Sequence, residues 1–156
     1  MSSLNPDSAL SALLAFTGWT AFQVILILLL ERIPHTLLGK RRADQFPKSR
    51  TYNDDTLVGR IACHHQNCLE NLSLFAIVVL SNAFVTGGSF IVSSKASIDR
   101  EAWLYVYLRL CQGLIHWLKV NHYFVIVRFH IFLSGLLLLF YMGFKTAGYQ
   151  VPPLPL

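Results

Sequence analysis

The sequence predicts an all-α integral membrane protein, a bundle of four transmembrane helices. Three observations predict it. Hydrophobic residues make up 54% of the 156 positions and charged residues 13%, about half the charge of a typical soluble domain, where about 25% is usual. So little charge cannot cover a water-facing surface. The apolar residues fall into four runs near the roughly 20 residues that a helix needs to cross a bilayer core. The net charge of +5 is concentrated, with Lys40, Arg41, Arg42, Lys48 and Arg50 in one short stretch. A basic stretch of this kind suits an anionic membrane surface, and the scarcity of polar surface argues against nucleic acid as the partner.

The first helix is expected over residues 9–30. It contains the run Val24 to Leu30 and ends at Glu31, Arg32 and Pro34. No Lys or Arg precedes it, so it lacks the charged start of a cleaved signal peptide and reads as a retained span. The second is expected over 57–85, ending at Gly87-Gly88, the third over 102–120, and the fourth over 124–148, before Pro152, Pro153 and Pro155. The link 121–123 between the last two permits only a tight antiparallel turn. The basic loop after the first helix is expected on the cytoplasmic side. Four crossings then place both termini on the other, lumenal side, in the endoplasmic reticulum of a eukaryotic cell. Residues 1–156 read as one domain. The cysteines Cys63, Cys68 and Cys111 are odd in number and lie in apolar segments, which argues against a disulfide framework. His64 and Cys68 share a helix face, but two ligands are too few for a metal site.

Charge inside a span costs at least about 2.5 kcal/mol, and three spans carry it. Around the second helix, Arg60, His64, Asn67 and Asn71 fall within roughly 60° of one another at 100° per residue, with Glu70 at the border of the stripe. On the third, Tyr105, Arg109, Gln112 and His116 form a stripe, and the fourth contributes Arg128. These faces must meet each other, a neighbouring subunit or a wet cavity. One ion pair would serve only helix register, with Glu70 expected to neutralise Arg109 or Arg128. The surplus of cationic and amide groups points instead to an anionic ligand, because guanidinium binds carboxylate and phosphate bidentately. His65, His122 and His130 lie off the stripes, and Trp19, Trp103 and Trp117 read as packing or interface anchors.

The stretch Arg60-Ile-Ala-Cys-His-His65-Gln-Asn67-Cys-Leu-Glu70-Asn71-Leu-Ser-Leu-Phe75 resembles the second helix of the MAPEG family, the membrane-associated proteins in eicosanoid and glutathione metabolism. Gly39-Lys-Arg-Arg42, Arg109, Arg128 and Gly135 extend the likeness, from about Leu10 to Gly148. The resemblance implies a homotrimer of four-helix protomers with glutathione in a cleft between protomers. A trimer also suits polar stripes that exceed what one bundle can bury. The resemblance implies that Asn67, Glu70, Arg109 and Arg128 contact glutathione, with Lys40 or Arg41 as the basic group at the end of the first helix. The stripes add His64 and Gln112 to these candidates. Cys63, Gln112 and His116 depart from the family, which often has Arg, His or Tyr, and Tyr there. The interval from Arg109 to Arg128 is also longer than usual.

Three functions follow. The first is a glutathione-dependent transferase, peroxidase or isomerase acting on a lipophilic electrophile, with Arg128 or Arg41 nearest the sulfur. The second is a glutathione-independent isomerase or cyclase of a lipophilic metabolite, with His116 and Glu70, and His64 beside them, as acid and base. The third is a non-catalytic lipid-binding protein. Membrane lipid and a lipophilic small molecule are the expected partners, and no metal is required.

Overall fold

In a computed structural model, residues 5–39, 55–86, 97–118, 122–150 and 152 are described. The described residues are mostly helical and carry no strand. Helix α1 spans Ala9–Ile27, a π-helical turn follows over Leu28–Arg32, and α2 spans Ile33–Leu37. Helix α3 spans Leu57–Val85, α4 Asp99–Trp117 and α5 His122–Thr146.

Each start has a local cause. The Ser8 hydroxyl accepts the amide N–H of Ser11 at 3.2 Å, and the Thr56 hydroxyl accepts that of Gly59 at 3.0 Å. Both satisfy N–H groups that a helix start leaves without partners. The Asp99 carboxylate accepts the Ala9 N–H at 2.7 Å, so the first turn of α4 also caps α1. Asp99 and Glu101 favour the positive end of α4. That helix therefore begins three residues before the expected position and stops at Trp117.

Pro34 does not end the first helix. A proline removes one donor and crowds the carbonyl four residues earlier, here that of Leu30. The wider turn at Leu28–Arg32 absorbs this, and helical backbone runs on to Leu37. Counted together, Ala9–Leu37, Leu57–Val85 and His122–Thr146 are three helices long and apolar enough to cross a membrane. Helix α4 falls outside that group. It carries Asp99, Arg100, Glu101 and Arg109 and packs against α1, α3 and α5. Neighbouring helices can satisfy its polar face, so it need not be apolar all round.

An aromatic triad binds three helices. The Phe75 ring of α3 stacks on Tyr105 of α4 at 4.5 Å, and Phe16 of α1 meets both edge-on at 5.9 and 5.8 Å. All three are fully buried. Towards the end where α5 finishes, Lys145 pairs with Glu101 at 2.6 Å and the Asn82 amide donates to the Thr146 hydroxyl at 3.4 Å. At the opposite end the packing opens. No residue of α5 from His122 to Ser134 is buried, whereas Gly135, Leu138, Leu139, Met142 and Thr146 are.

Candidate functional site

Two polar groupings emerge from the packing: one sealed inside the protomer and one facing outward. The sealed grouping is centred on His64 of α3, which is 1% exposed. Its Nε2 lies 3.4 Å from the Cys68 sulfur, one turn along the same helix. Its ring is 5.6 Å from that of His116 on α4. Room for the imidazole comes from Gly113, where a Cβ would stand 2.6 Å from His64 Nε2 and 2.9 Å from the Trp19 ring. From α1, the Gln23 amide donates to the Cys68 sulfur at 3.5 Å. Trp19 stacks on Trp117 at 5.2 Å. His64 Nδ1, Gln23 Oε1 and Trp19 Nε1 are buried with no hydrogen-bond partner among protein atoms. The interior therefore keeps unused hydrogen-bonding capacity. Among the described residues no group of three or more His, Cys, Asp or Glu could hold a metal ion.

Deeper along the bundle lies Arg109, 2% exposed. One terminal nitrogen donates to Gln112 Oε1 and the other to Asn71 Oδ1, each at 2.8 Å. The guanidinium lies 5.0 Å from the Tyr105 ring centre and 5.1 Å from that of Phe132, within cation–π range. Gly135 offers it a bare backbone, where a Cβ would sit in ordinary contact at 3.5 Å. The expected pairing of Arg109 with Glu70 is not formed. Neutral amides hold the charge because Asn71 faces α4 on the inner stripe, whereas Glu70, roughly 100° further round, faces outward. Arg60 is likewise engaged: it donates to the backbone carbonyls of Trp117 and Asp55, each at 3.2 Å. It thereby caps the last turn of α4.

The outward grouping comprises Gln66, Glu70 and Ser73, which share one exposed face of α3. The Gln66 amide donates to Glu70 Oε1 at 3.2 Å. Glu70 lies thirteen residues into α3, about 20 Å along its axis, so this carboxylate stands mid-span. Asn67 is half-buried beside it, and its backbone carbonyl accepts the Asn71 amide at 2.7 Å. On α5, Arg128 is half-buried one turn before Phe132. Among the described residues neither Glu70 nor Arg128 forms an ion pair, so the expected bridge between them is also absent within the protomer. Arg41 lies outside the described residues.

The sequence-predicted residues thus separate by depth. His64, Arg109, Gln112 and His116 come together inside, while Glu70 and Arg128 remain available outside, with Asn67 between. Glu70 and His116, expected as an acid–base couple, occupy different groupings: Glu70 projects roughly 120° round α3 from His64, the neighbour of His116. Gln23 and Trp19 were missed as site residues. Gln23 is the only amide within α1, a signal the sequence did carry.

Residues 9–148 match the sequence model of the MAPEG family. The chain belongs to the MAPEG family. No curated protein and no solved structure matches it. As a MAPEG protein it is an integral membrane protein of the glutathione and eicosanoid metabolism kind, in a family that includes transferases, isomerases and non-catalytic members.

Proposed function

We propose that this MAPEG protein is a glutathione-dependent enzyme acting on a lipophilic electrophile, with its site in a polar cleft between protomers of a homotrimer. One observation carries the reading: at membrane depth, Glu70 is exposed and Arg128 half-exposed, and neither has an ion-pair partner among the described residues, whereas the other arginines of the stripes are engaged. Charges left like this face a ligand or a neighbouring subunit, not lipid. The fit to glutathione rests on the same groups. The Glu70 carboxylate receives one bond from Gln66 and has capacity to accept an ammonium or amide N–H. Asn67 adds an amide beside it. Arg128 supplies a guanidinium for a carboxylate or for negative charge on sulfur, and a cation beside a thiol lowers its pKa. Bound there, glutathione supplies a thiol nucleophile. Arg109 takes a supporting part, holding Asn71 and thereby the register of the face that carries Glu70.

In this reading α4 crosses the bilayer with the other three, the basic loop around Arg41 faces the cytoplasm, and α5 ends on the lumenal side of the endoplasmic reticulum. The exposed first half of α5 and the Gln66–Glu70–Ser73 face supply the surface between protomers. Native mass spectrometry from detergent should therefore release a trimer, and a monomer alone would remove the cleft.

A second reading rests on the His64–His116 contact at 5.6 Å. Two imidazoles in one closed interior could exchange a proton with a lipophilic substrate, as an isomerase or cyclase independent of glutathione requires. His116→Gln separates the two. With glutathione in the outer cleft, His116 is a packing residue, and turnover falls by less than about tenfold while melting temperature drops. With His116 as proton carrier, turnover falls by about 10²–10⁴ without any thiol requirement. Turnover against pH, with and without glutathione, distinguishes these outcomes.

A further inference from the structure

The guanidinium of Arg109 is buried without a counter-charge. The residue is 2% exposed, and among the described residues it forms no ion pair. Its neighbours are neutral. Asn71 and Gln112 each accept one N–H from a terminal nitrogen, and the Tyr105 and Phe132 rings lie at 5.0 and 5.1 Å. A lone charge in a low-dielectric interior is strongly unfavourable, and two amide dipoles offset only part of that cost.

Two unused donors stand at the same place. Arg109 Nε and Tyr105 Oη are buried with no hydrogen-bond partner among protein atoms. They belong to residues one turn apart on α4, and Tyr105 is 0% exposed. On the α5 side, Gly135 presents no side chain to Nε; an added Cβ would stand 3.6 Å from it. A water molecule there would satisfy the donors and leave the charge. An anion satisfies the donors and neutralises the charge, and a hydrogen bond between two charged groups is the stronger kind.

We infer that Arg109 Nε and Tyr105 Oη hold one monovalent anion of halide size, chloride in the cell, as an internal counter-ion between α3, α4 and α5. Sulfate and phosphate carry more charge and more oxygens than these two donors serve. A peptide carboxylate would have to bring its chain with it, and of the groups around Arg109 only Phe132 is not buried. A single ion can pass that ring. The anion supplies the negative charge that Glu70, facing outward, does not. The site is separate from the proposed glutathione cleft, whose Glu70 and Arg128 lie outside the sealed interior, and it does not rest on that reading.

The test uses the detergent-purified full chain in sodium chloride and in sodium gluconate of equal ionic strength, gluconate being too bulky to enter. Two quantities are read: the linewidth of the chloride nuclear magnetic resonance signal and the melting temperature. Wild type should broaden the chloride line, bromide should reverse the broadening, and the protein should melt higher in chloride. At 100 times the dissociation constant the rise is roughly 5–10 °C. Tyr105→Phe keeps the ring and its stacking on Phe75 and removes one donor. It should lose most of the chloride-dependent rise. In gluconate it should melt no lower than wild type, because the hydroxyl it deletes is buried without a partner. Arg128→Gln should leave the broadening unchanged. Four results overturn the inference. The first is an equal melting temperature in both salts with no broadening. The second is a chloride response that Tyr105→Phe retains in full. The third is a response lost in Arg128→Gln, which assigns the anion to the outer cleft. The fourth is broadening that glutathione reverses, which assigns Arg109 to a carboxylate of the peptide and leaves the glutathione reading standing. Chloride binding in a protein that glutathione does not stabilise would sink the glutathione reading alone.

Discussion

Arg109→Leu is expected to destabilise the protein more than any other single substitution in the polar interior. The guanidinium is 2% exposed and holds amides on two elements, Asn71 of α3 and Gln112 of α4. Its removal leaves two buried amide oxygens without donors. A buried group left unsatisfied costs about 1–3 kcal/mol, so the loss is roughly 2–6 kcal/mol, a large part of the total stability of many domains. The flat contacts with Tyr105 and Phe132 are lost as well. Arg109→Lys should recover little, because an ammonium is a point donor and cannot span two amides with a planar fork. Thermal unfolding in detergent reads the effect, and an unchanged melting temperature in Arg109→Leu would show that the amides find other partners.

Arg128→Gln should behave in the opposite way. This side chain forms no ion pair among the described residues and belongs to the half of α5 that the protomer does not bury. Its loss should therefore change the stability of the ligand-free protein by no more than about 0.5 kcal/mol, the usual range for a surface site. In the proposed mechanism it stabilises negative charge on the reacting sulfur, and removing one such group typically costs about 10²–10³ in kcat. Stopped assays over a pH series should show the apparent thiol pKa rising in the variant, since a nearby cation is what lowers it. Unchanged turnover and an unchanged pH profile would remove Arg128 from the chemistry.

The contrast between these two arginines shows what the sequence made legible. Periodicity alone placed Arg109, Gln112 and His116 on one face, and His64 with Asn71 on another, and those faces do meet. Partner choice was not legible. Opposite charges invite pairing on paper, but Glu70 stands roughly 100° round α3 from Asn71, and that rotation sends it outward while the amide takes the guanidinium. The helix ends were blurred by a similar cause. Pro34 reads as a stop, but the π-helical turn at Leu28–Arg32 makes room for it. Leu118 reads as span, but α4 ends at Trp117, whose carbonyl Arg60 caps from the neighbouring helix. Gln23 was passed over because one amide in an apolar helix has no periodic companion, and its role depends on Cys68 across the interface.

Glutathione binding is tested most directly by the melting temperature of the detergent-purified protein with and without the peptide. A ligand present at 100 times its dissociation constant stabilises the folded state by about 2.7 kcal/mol. A rise of that order is expected at millimolar glutathione in wild type, with a clearly smaller rise in Arg128→Gln and Glu70→Gln. No rise at any glutathione concentration in wild type would contradict it.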